Sequence, residues 1–186
     1  ALQIPGLKIF SEFADLLRFA WTTTLPMIAR VNGHCLAGGM GLFAMCDMAV
    51  AADHASFGLP EVKIGLFPAQ VLAVLQHMAA PRHIAEMCIT GEPISAARAA
   101  EIGLVNHVAP AGELDAKTEW LVQRVTGKSP TAVRRGKAMM RAAFDMSFEQ
   151  SISFLETQIM TLALTEDAKE GRASFVEKRA PNWTGR

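Results

Sequence analysis

The chain has 186 residues, 51% of them apolar, and its 18 Lys and Arg are balanced by 18 Asp and Glu. That length supports one substantial core, and the zero net charge supplies no global field to draw nucleic acid or an anionic membrane surface. Three cysteines cannot all pair, and Cys35, Cys46 and Cys88 sit in apolar segments, so buried reduced thiols are expected.

The opening "ALQIPGLKIF" lacks an initiator Met and shows no charged-then-apolar leader. The spacing then predicts a helix over 10–21, with Phe13, Leu16, Leu17 and Ala20 on one stripe. Pro26 ends it, and 27–36 reads as β-strand interrupted by Gly33. A short helix is expected over 42–46, after Gly38, Gly39 and Gly41, and a small-residue buried strand over 48–52. "GLPEVKIGLFP", 58–68, is turn-rich and reads as loop with a brief strand inside it. The longest weakly charged stretch, 35–52, contains Asp47 and three glycines, which is poor material for a membrane span.

From there the pattern is helical. Val71, Leu72, Val74, Leu75 and Met78 fit one face, and Pro81 opens the next helix. Ser95 caps another that Gly103 stops, followed by a strand "LVNHVA" at 104–109. The last sixty or so residues read as all helix. Ser147 and Gln150 form a capping-box signature, and Phe148, Ile152, Leu155, Ile159 and Leu162 continue a stripe. Thr165, followed by Glu166 and Asp167, begins a final helix running towards Pro181. This order implies a mixed α/β core with a helical C-terminal appendage.

Several motifs compete for a chemical meaning. "GMGLFA" at 39–44 matches the loose G-x-G-x-x-G/A pattern, but only five residues separate Gly41 from Asp47. A βαβ crossover needs about a dozen, so dinucleotide binding is disfavoured. Bare backbone N–H groups at the start of a helix suit an oxyanion, although such glycines serve close helix–strand packing equally well. Glu61 lies in an apolar stretch with Phe57, Leu59, Val62 and Ile64. Carboxylates in apolar surroundings hold their protons to higher pH, which suits proton transfer near neutrality; a solvated loop glutamate is the plainer alternative. "GKS" at 127–129 ends like a phosphate-binding loop, but Val122 stands where its first glycine is needed. The histidines at 34, 54, 77, 83 and 107 show no metal-ligand spacing, so no metal is expected. Arg134, Arg135, Lys137 and Arg141 read as a solvated basic helix face, with phosphate contact as the weaker meaning.

"PMIARVNGHCLAGGMGLFAMCDMAVAADHASFGLPEVKIGLFP" resembles the signature of the enoyl-CoA hydratase/isomerase family, the crotonase superfamily. "MCITGEPISAARAAEIGLVNHVAP" and "EGRASFVEKRAPNW" resemble later blocks of the same family. The resemblance implies a crotonase-like (ClpP/crotonase) α/β spiral of strand–strand–helix turns, with C-terminal helices that assemble trimers or hexamers. It divides the chain into a partial spiral core over 1–125 and a helical trimerisation region over 126–186.

The family binds acyl-CoA thioesters without a further cofactor and holds an enolate-like oxyanion on two backbone N–H groups. The second donor maps onto Gly38, while the first, with much of the adenine-contacting loop, belongs to an N-terminal block that these residues lack. Hydratases of the family usually carry two glutamates; the positions here are Gly41 and Glu61. Hydration is easiest with two carboxylates, whereas moving a proton between two carbons needs one. The resemblance therefore favours double-bond isomerisation by Glu61 over an oxyanion at Gly38. Hydration is the alternative, and a non-catalytic acyl-CoA-binding or RNA-binding member is a further one. The expected compartment is cytoplasmic, or the mitochondrial matrix if a transit peptide precedes the sequence.

Overall fold

The computed structural model describes residues 8–186; residues 1–7, whose first position carries no initiator Met, lie outside them. The chain forms two compact units, one of 27–120 with the residues up to Trp21, the other of 22–26 with 121–186.

The first unit opens with α1 (Lys8–Thr22). Its buried side is set by Leu17, with Phe13, Ala20 and Trp21 packed on the core. Leu16 does not share that stripe and is exposed. Two short strands follow, β1 (Ile28–Val31) and β2 (His34–Leu36), parted at Gly33. α2 (Gly38–Ala44) begins at the glycines themselves rather than after them. Then come β3 (Met48–Ala52), β4 (Ser56–Gly58), a 3-10 turn (Pro60–Ile64), α3 (Ala69–Leu75) and α4 (Pro81–Thr90). β5 (Ile94–Ser95), α5 (Ala96–Glu101), β6 (His107–Ala109), a second 3-10 turn (Ala111–Glu113) and the start of α6 (Leu114–Thr126) complete the unit.

The strands build two small sheets, ordered β1-β3-β6 and β2-β4-β5. All pairs are parallel except β4 with β5. The first two circuits each add one strand to each sheet before turning through a helix, and in the third α5 stands between β5 and β6; the chain climbs as the expected spiral. Parallel strands buried on both faces need small or branched apolar residues, and Ala49, Val50, Ala51 and Ala52 supply them. Asp47 fastens the entry: its Oδ2 accepts from the N–H of Met27 at 2.7 Å, and its own N–H donates to the Met27 carbonyl at 2.8 Å.

Three expected elements come out differently. The brief strand lies before Leu59 rather than inside 58–68, because Pro60 starts a tight turn that Gly65 closes at φ 77°. The strand expected over 104–109 is confined to 107–109. Leu104 and Val105 are buried but belong to the end of α5: the N–H of Leu104 bonds to the Ala99 carbonyl and that of Gly103 to Ala100, with Gly103 at φ 85°. That is a Schellman ending, in which an apolar residue after the glycine packs back on the helix. Cys35 and Cys88 are buried, whereas Cys46 is only half-buried.

The second unit contains α7 (Pro130–Ala143), α8 (Phe148–Leu162) and α9 (Glu166–Glu177), with α7 packed on both others. The Ser147–Gln150 capping box forms as expected. No residue of α8 is fully buried, and Phe148, Ile152 and Ile159 are exposed. Lys137 departs from the expected solvated face: it is buried and donates to the Leu25 carbonyl at 2.7 Å. Arg134 and Arg135 donate to the Gly185 carbonyl and to Thr161 Oγ1, so most of the basic patch is engaged within the unit.

Asp167 organises this unit. Nearly fully buried, it accepts from Ser129 Oγ at 2.6 Å, from the N–H groups of Thr184 at 2.8 Å and Gly185 at 3.0 Å, and from Thr131 N–H at 3.5 Å. Burial pushes its carboxyl up, but the Ser129 hydroxyl and the three N–H groups outweigh burial and hold it well below the ordinary 3.8. Such a group stabilises the fold fully above its unfolded-state value, and the contribution is lost as pH falls towards the folded one. Asp167→Ala should cost about 3 kcal/mol at pH 7, measured by urea unfolding. The difference from wild type should shrink once pH drops below about 4.

Candidate active site

β2 and β4 run parallel in the register His34↔Ser56, Cys35↔Phe57 and Leu36↔Gly58. Parallel neighbours end on the same side, so the residues beyond β2 and those beyond β4 are brought together. After β2 come Ala37 and the start of α2; after β4 come Leu59, Pro60 and Glu61. The register continues one step further, because the N–H of Ala37 donates to the Gly58 carbonyl at 3.0 Å. Gly58 is needed there: a Cβ would stand 3.2 Å from both Leu36 Cδ2 and Pro93 Cα.

Ala37 sits at φ 51°, ψ −124°, a region that L-residues seldom occupy. Strain of this kind costs about 1–3 kcal/mol and persists only where the surroundings enforce it. Here the Gly58 carbonyl holds one side, and the Ala37 carbonyl accepts from Met40 N–H at 2.9 Å on the other. The kink turns the chain from strand into helix within one residue. It leaves the N–H groups of Gly38 and Gly39 in the first turn of α2, where helix geometry offers no acceptor.

Glu61 is in the first turn of the 3-10 segment and partly buried. Its backbone carbonyl accepts from Leu66 N–H at 3.0 Å, which fixes the turn. Its side-chain Oε2 is buried and meets no hydrogen-bond donor among the described residues. A buried carboxylate oxygen without a partner is costly and rare. The buried thiol of Cys88, on α4, lies close enough to feel it: burial raises the Cys88 thiol, and the Glu61 charge raises it further. Cys88 therefore stays protonated and inert.

Gly41 is buried in α2. A Cβ there would fall 2.9 Å from Phe13 Cζ and 3.3 Å from Val71 Cγ2, so the position that resembles a carboxylate site is closed by α1. A cavity of about 340 Å³ lies along the other side of α2, among Arg30, Cys35, Gly39, Leu42 and Cys46. Neither Gly38 nor Glu61 lines it. Burial, then Cys46, pushes the Cys35 thiol beside it up to about 11. Two histidines have structural partners: His34 Nδ1 meets Ser56 Oγ at 2.7 Å, and His54 Nε2 meets the Asn32 carbonyl at 2.9 Å. Among the described residues, no three His, Cys, Asp or Glu gather as a metal would require, and no helix is long and apolar enough to cross a membrane.

Sequence reasoning does not single out Phe13 or Cys88 as site residues. Phe13 reads as core stripe and Cys88 as a buried thiol; a glycine inside a helix pattern, as at 41, is the available sign of a close approach.

The fold is crotonase-like. It is shared with the enoyl-CoA hydratase of Mycobacterium smegmatis at a TM-score of 0.93 and 32% identity, over 98% of this chain and 71% of that one. The family model for enoyl-CoA hydratase/isomerase matches residues 8–186. The chain belongs to that family. Mouse enoyl-CoA hydratase domain-containing protein 3, mitochondrial, is 37% identical over 180 residues, 95% of this chain and 59% of that one. The carnitinyl-CoA dehydratase of Salmonella typhi is 36% identical over 166 residues, 87% of this chain and 64% of that one. The chain thus spans roughly three-fifths of the length of these curated relatives.

α4 packs on the 3-10 turn that carries Glu61, and Gly91 is what lets the two come so close. Gly91 ends α4 at φ 67°, and a Cβ on it would stand 2.9 Å from Val62 Cγ2 and 3.3 Å from Lys63 Cε. Gly91→Ala should therefore cost about 1–2 kcal/mol from the backbone alone, seen as a lower urea midpoint. Gly91→Asn, which accepts the left-handed backbone more readily but brings the same Cβ against Val62, should recover only part of that loss.

Proposed function

We propose that this protein isomerises enoyl-CoA thioesters, with Glu61 moving the proton and Gly38 N–H holding the oxyanion. The observation that carries the reading is the Glu61 carboxylate, with Oε2 buried and without a donor among the described residues, on the turn that follows β4, the strand paired with β2 ahead of α2. With the thioester oxygen at the Gly38 N–H, charge that develops on it meets a fixed dipole; one such donor is worth about 3 kcal/mol in the transition state.

The step balances on one residue. Glu61 carboxylate removes a proton from C2 of a 3-enoyl thioester. The C–H electron pair becomes the C2–C1 π bond of a dienolate, and the carbonyl pair moves to oxygen. Return of the same proton from Glu61 to C4 reforms the carbonyl and leaves a C2=C3 double bond. No other acid or base is needed, and Gly41 supplies none. Exposed Ile64, Leu66 and Phe67, just beyond Glu61, suit an apolar acyl chain. Exposed Phe148, Ile152 and Ile159 on α8 support burial against further copies of the chain, as a trimer or hexamer.

A second reading is hydration of 2-enoyl thioesters, favoured by relatives named as hydratase and dehydratase. The natural full-length protein should be assayed on 3-enoyl-CoA and 2-enoyl-CoA with products separated. Glu61→Gln should abolish isomerisation and leave thioester binding within about threefold, since the amide keeps the shape but cannot cycle a proton. Brisk hydration by wild type with no double-bond movement would establish the second reading instead.

Gly38 is tested separately. Proline fits the first position of a helix but also restricts the residue before it, here the strained Ala37; Gly38→Pro removes the donor and should lower kcat by at least about 10², with the urea midpoint reporting the cost at Ala37. Gly38→Ala keeps the N–H, and its Cβ would meet Phe13 at an ordinary 3.8 Å; it should stay within about tenfold of wild type.

A further inference from the structure

Gly38 and Gly41 lie three residues apart on α2 and so share one face of the helix. The same side chain covers both. A Cβ at Gly38 would meet Phe13 Cζ at 3.8 Å, and one at Gly41 would meet it at 2.9 Å. The Phe13 ring, carried on α1, therefore stands along the face of α2 that begins at the proposed oxyanion donor. Val71 Cγ2, 3.3 Å from the same Cβ position, closes the other side. Both are hydrocarbon. A water molecule is held in such a place only if two to four polar partners surround it, and none is supplied by Phe13, Val71, Gly41 or Met40.

The second observation concerns Glu61. Oε2 of Glu61 is buried and has no donor among the described residues, and the nearby thiol of Cys88 is buried too. Glu61 thus offers one carboxylate oxygen without a partner among the described residues, and the α2 face under Phe13 gives a water no polar partner of its own.

We infer that Phe13 is a specificity-determining residue: its ring fills the space over Gly38 and Gly41 that a nucleophilic water would need, and so confines the site to proton transfer within the substrate. The inference rests on the isomerase reading of Glu61 and adds what selects against water. Gly41 has its reason in the same contact. The glycine is the side-chain-free surface against which the ring packs, and an acid cannot simply be restored there while Phe13 stays.

Two measurements on the natural full-length protein test this. In the first, wild type, Phe13→Leu and Phe13→Ala are supplied with 3-enoyl-CoA and 2-enoyl-CoA, and the ratio of 3-hydroxyacyl product to isomer is read. Phe13→Ala should raise that ratio at least about tenfold, and Phe13→Leu, which stays bulky and apolar, should move it far less. A merely structural role would lower both products together and leave the ratio fixed; a fixed ratio overturns the inference.

The second measurement is independent of activity and guards against a Phe13→Ala protein that does not fold. Gly41→Ala is made in wild type and in Phe13→Leu, and Tm is compared. Alanine is the better helix former, but in wild type its Cβ must displace the ring. The Tm change on Gly41→Ala should be more favourable by about 3 °C or more in Phe13→Leu than in wild type. Equal changes in the two backgrounds would show that the ring does not occupy this space, and the inference would fall.

The two levels separate cleanly. If Glu61→Gln is fully active, the functional reading fails whatever the Tm coupling shows. If Glu61→Gln is inactive but Phe13→Ala leaves the ratio unmoved, the function stands and Phe13 loses its role.

Discussion

The parallel register of His34–Leu36 on Ser56–Gly58 is the constraint from which the site is built. Side-chain period in a strand is two residues, so a slip of one would turn Cys35 and Phe57 outward and carry Glu61 away from the start of α2. The pairing is short, and several contacts beyond it hold it. Ala37 N–H on the Gly58 carbonyl extends the ladder past the end of β2. Gly58 lets Leu36 and Pro93 close on the backbone, and fully buried Phe57 packs on Phe43 with ring centroids 5.1 Å apart. The strained Ala37 is what this anchoring supports: it reverses the chain so that bare N–H groups emerge beside the turn that carries the carboxylate.

Much of this is legible in the sequence because the chemistry is local. Ser95 and Ser147 accept hydrogen bonds from residues three positions on, and Gly103 stops α5 in the left-handed conformation. These signals depend only on neighbours in sequence. Glu61 stands out for a related reason, as one charge in an apolar run.

The rest is set by distant partners and is not legible. Lys137 looks like any solvated helical lysine, yet its ammonium bonds to the carbonyl of Leu25, 112 residues away in sequence. Asp167 looks like an acidic residue favouring a helix start, but it gathers Ser129, Thr131, Thr184 and Gly185 around one buried carboxylate. Phe13 fits a core stripe, and nothing in residues 10–21 says that its ring ends on Gly41. Leu104 and Val105 are apolar and β-prone, but Gly103 commits them to the helix end before pairing can recruit them.

Central to the proposed mechanism is one partly buried carboxylate that would carry one proton between two carbons of the same thioester. A 3-enoyl-CoA deuterated at C2 tests it directly, with the isotope followed at C4 by NMR during turnover by the full-length protein in ordinary water. A single shielded base predicts that a measurable share of the deuterium removed from C2 reappears at C4 of the 2-enoyl product. Complete loss of that deuterium to solvent, or a 3-hydroxyacyl thioester as the sole product, would contradict the account.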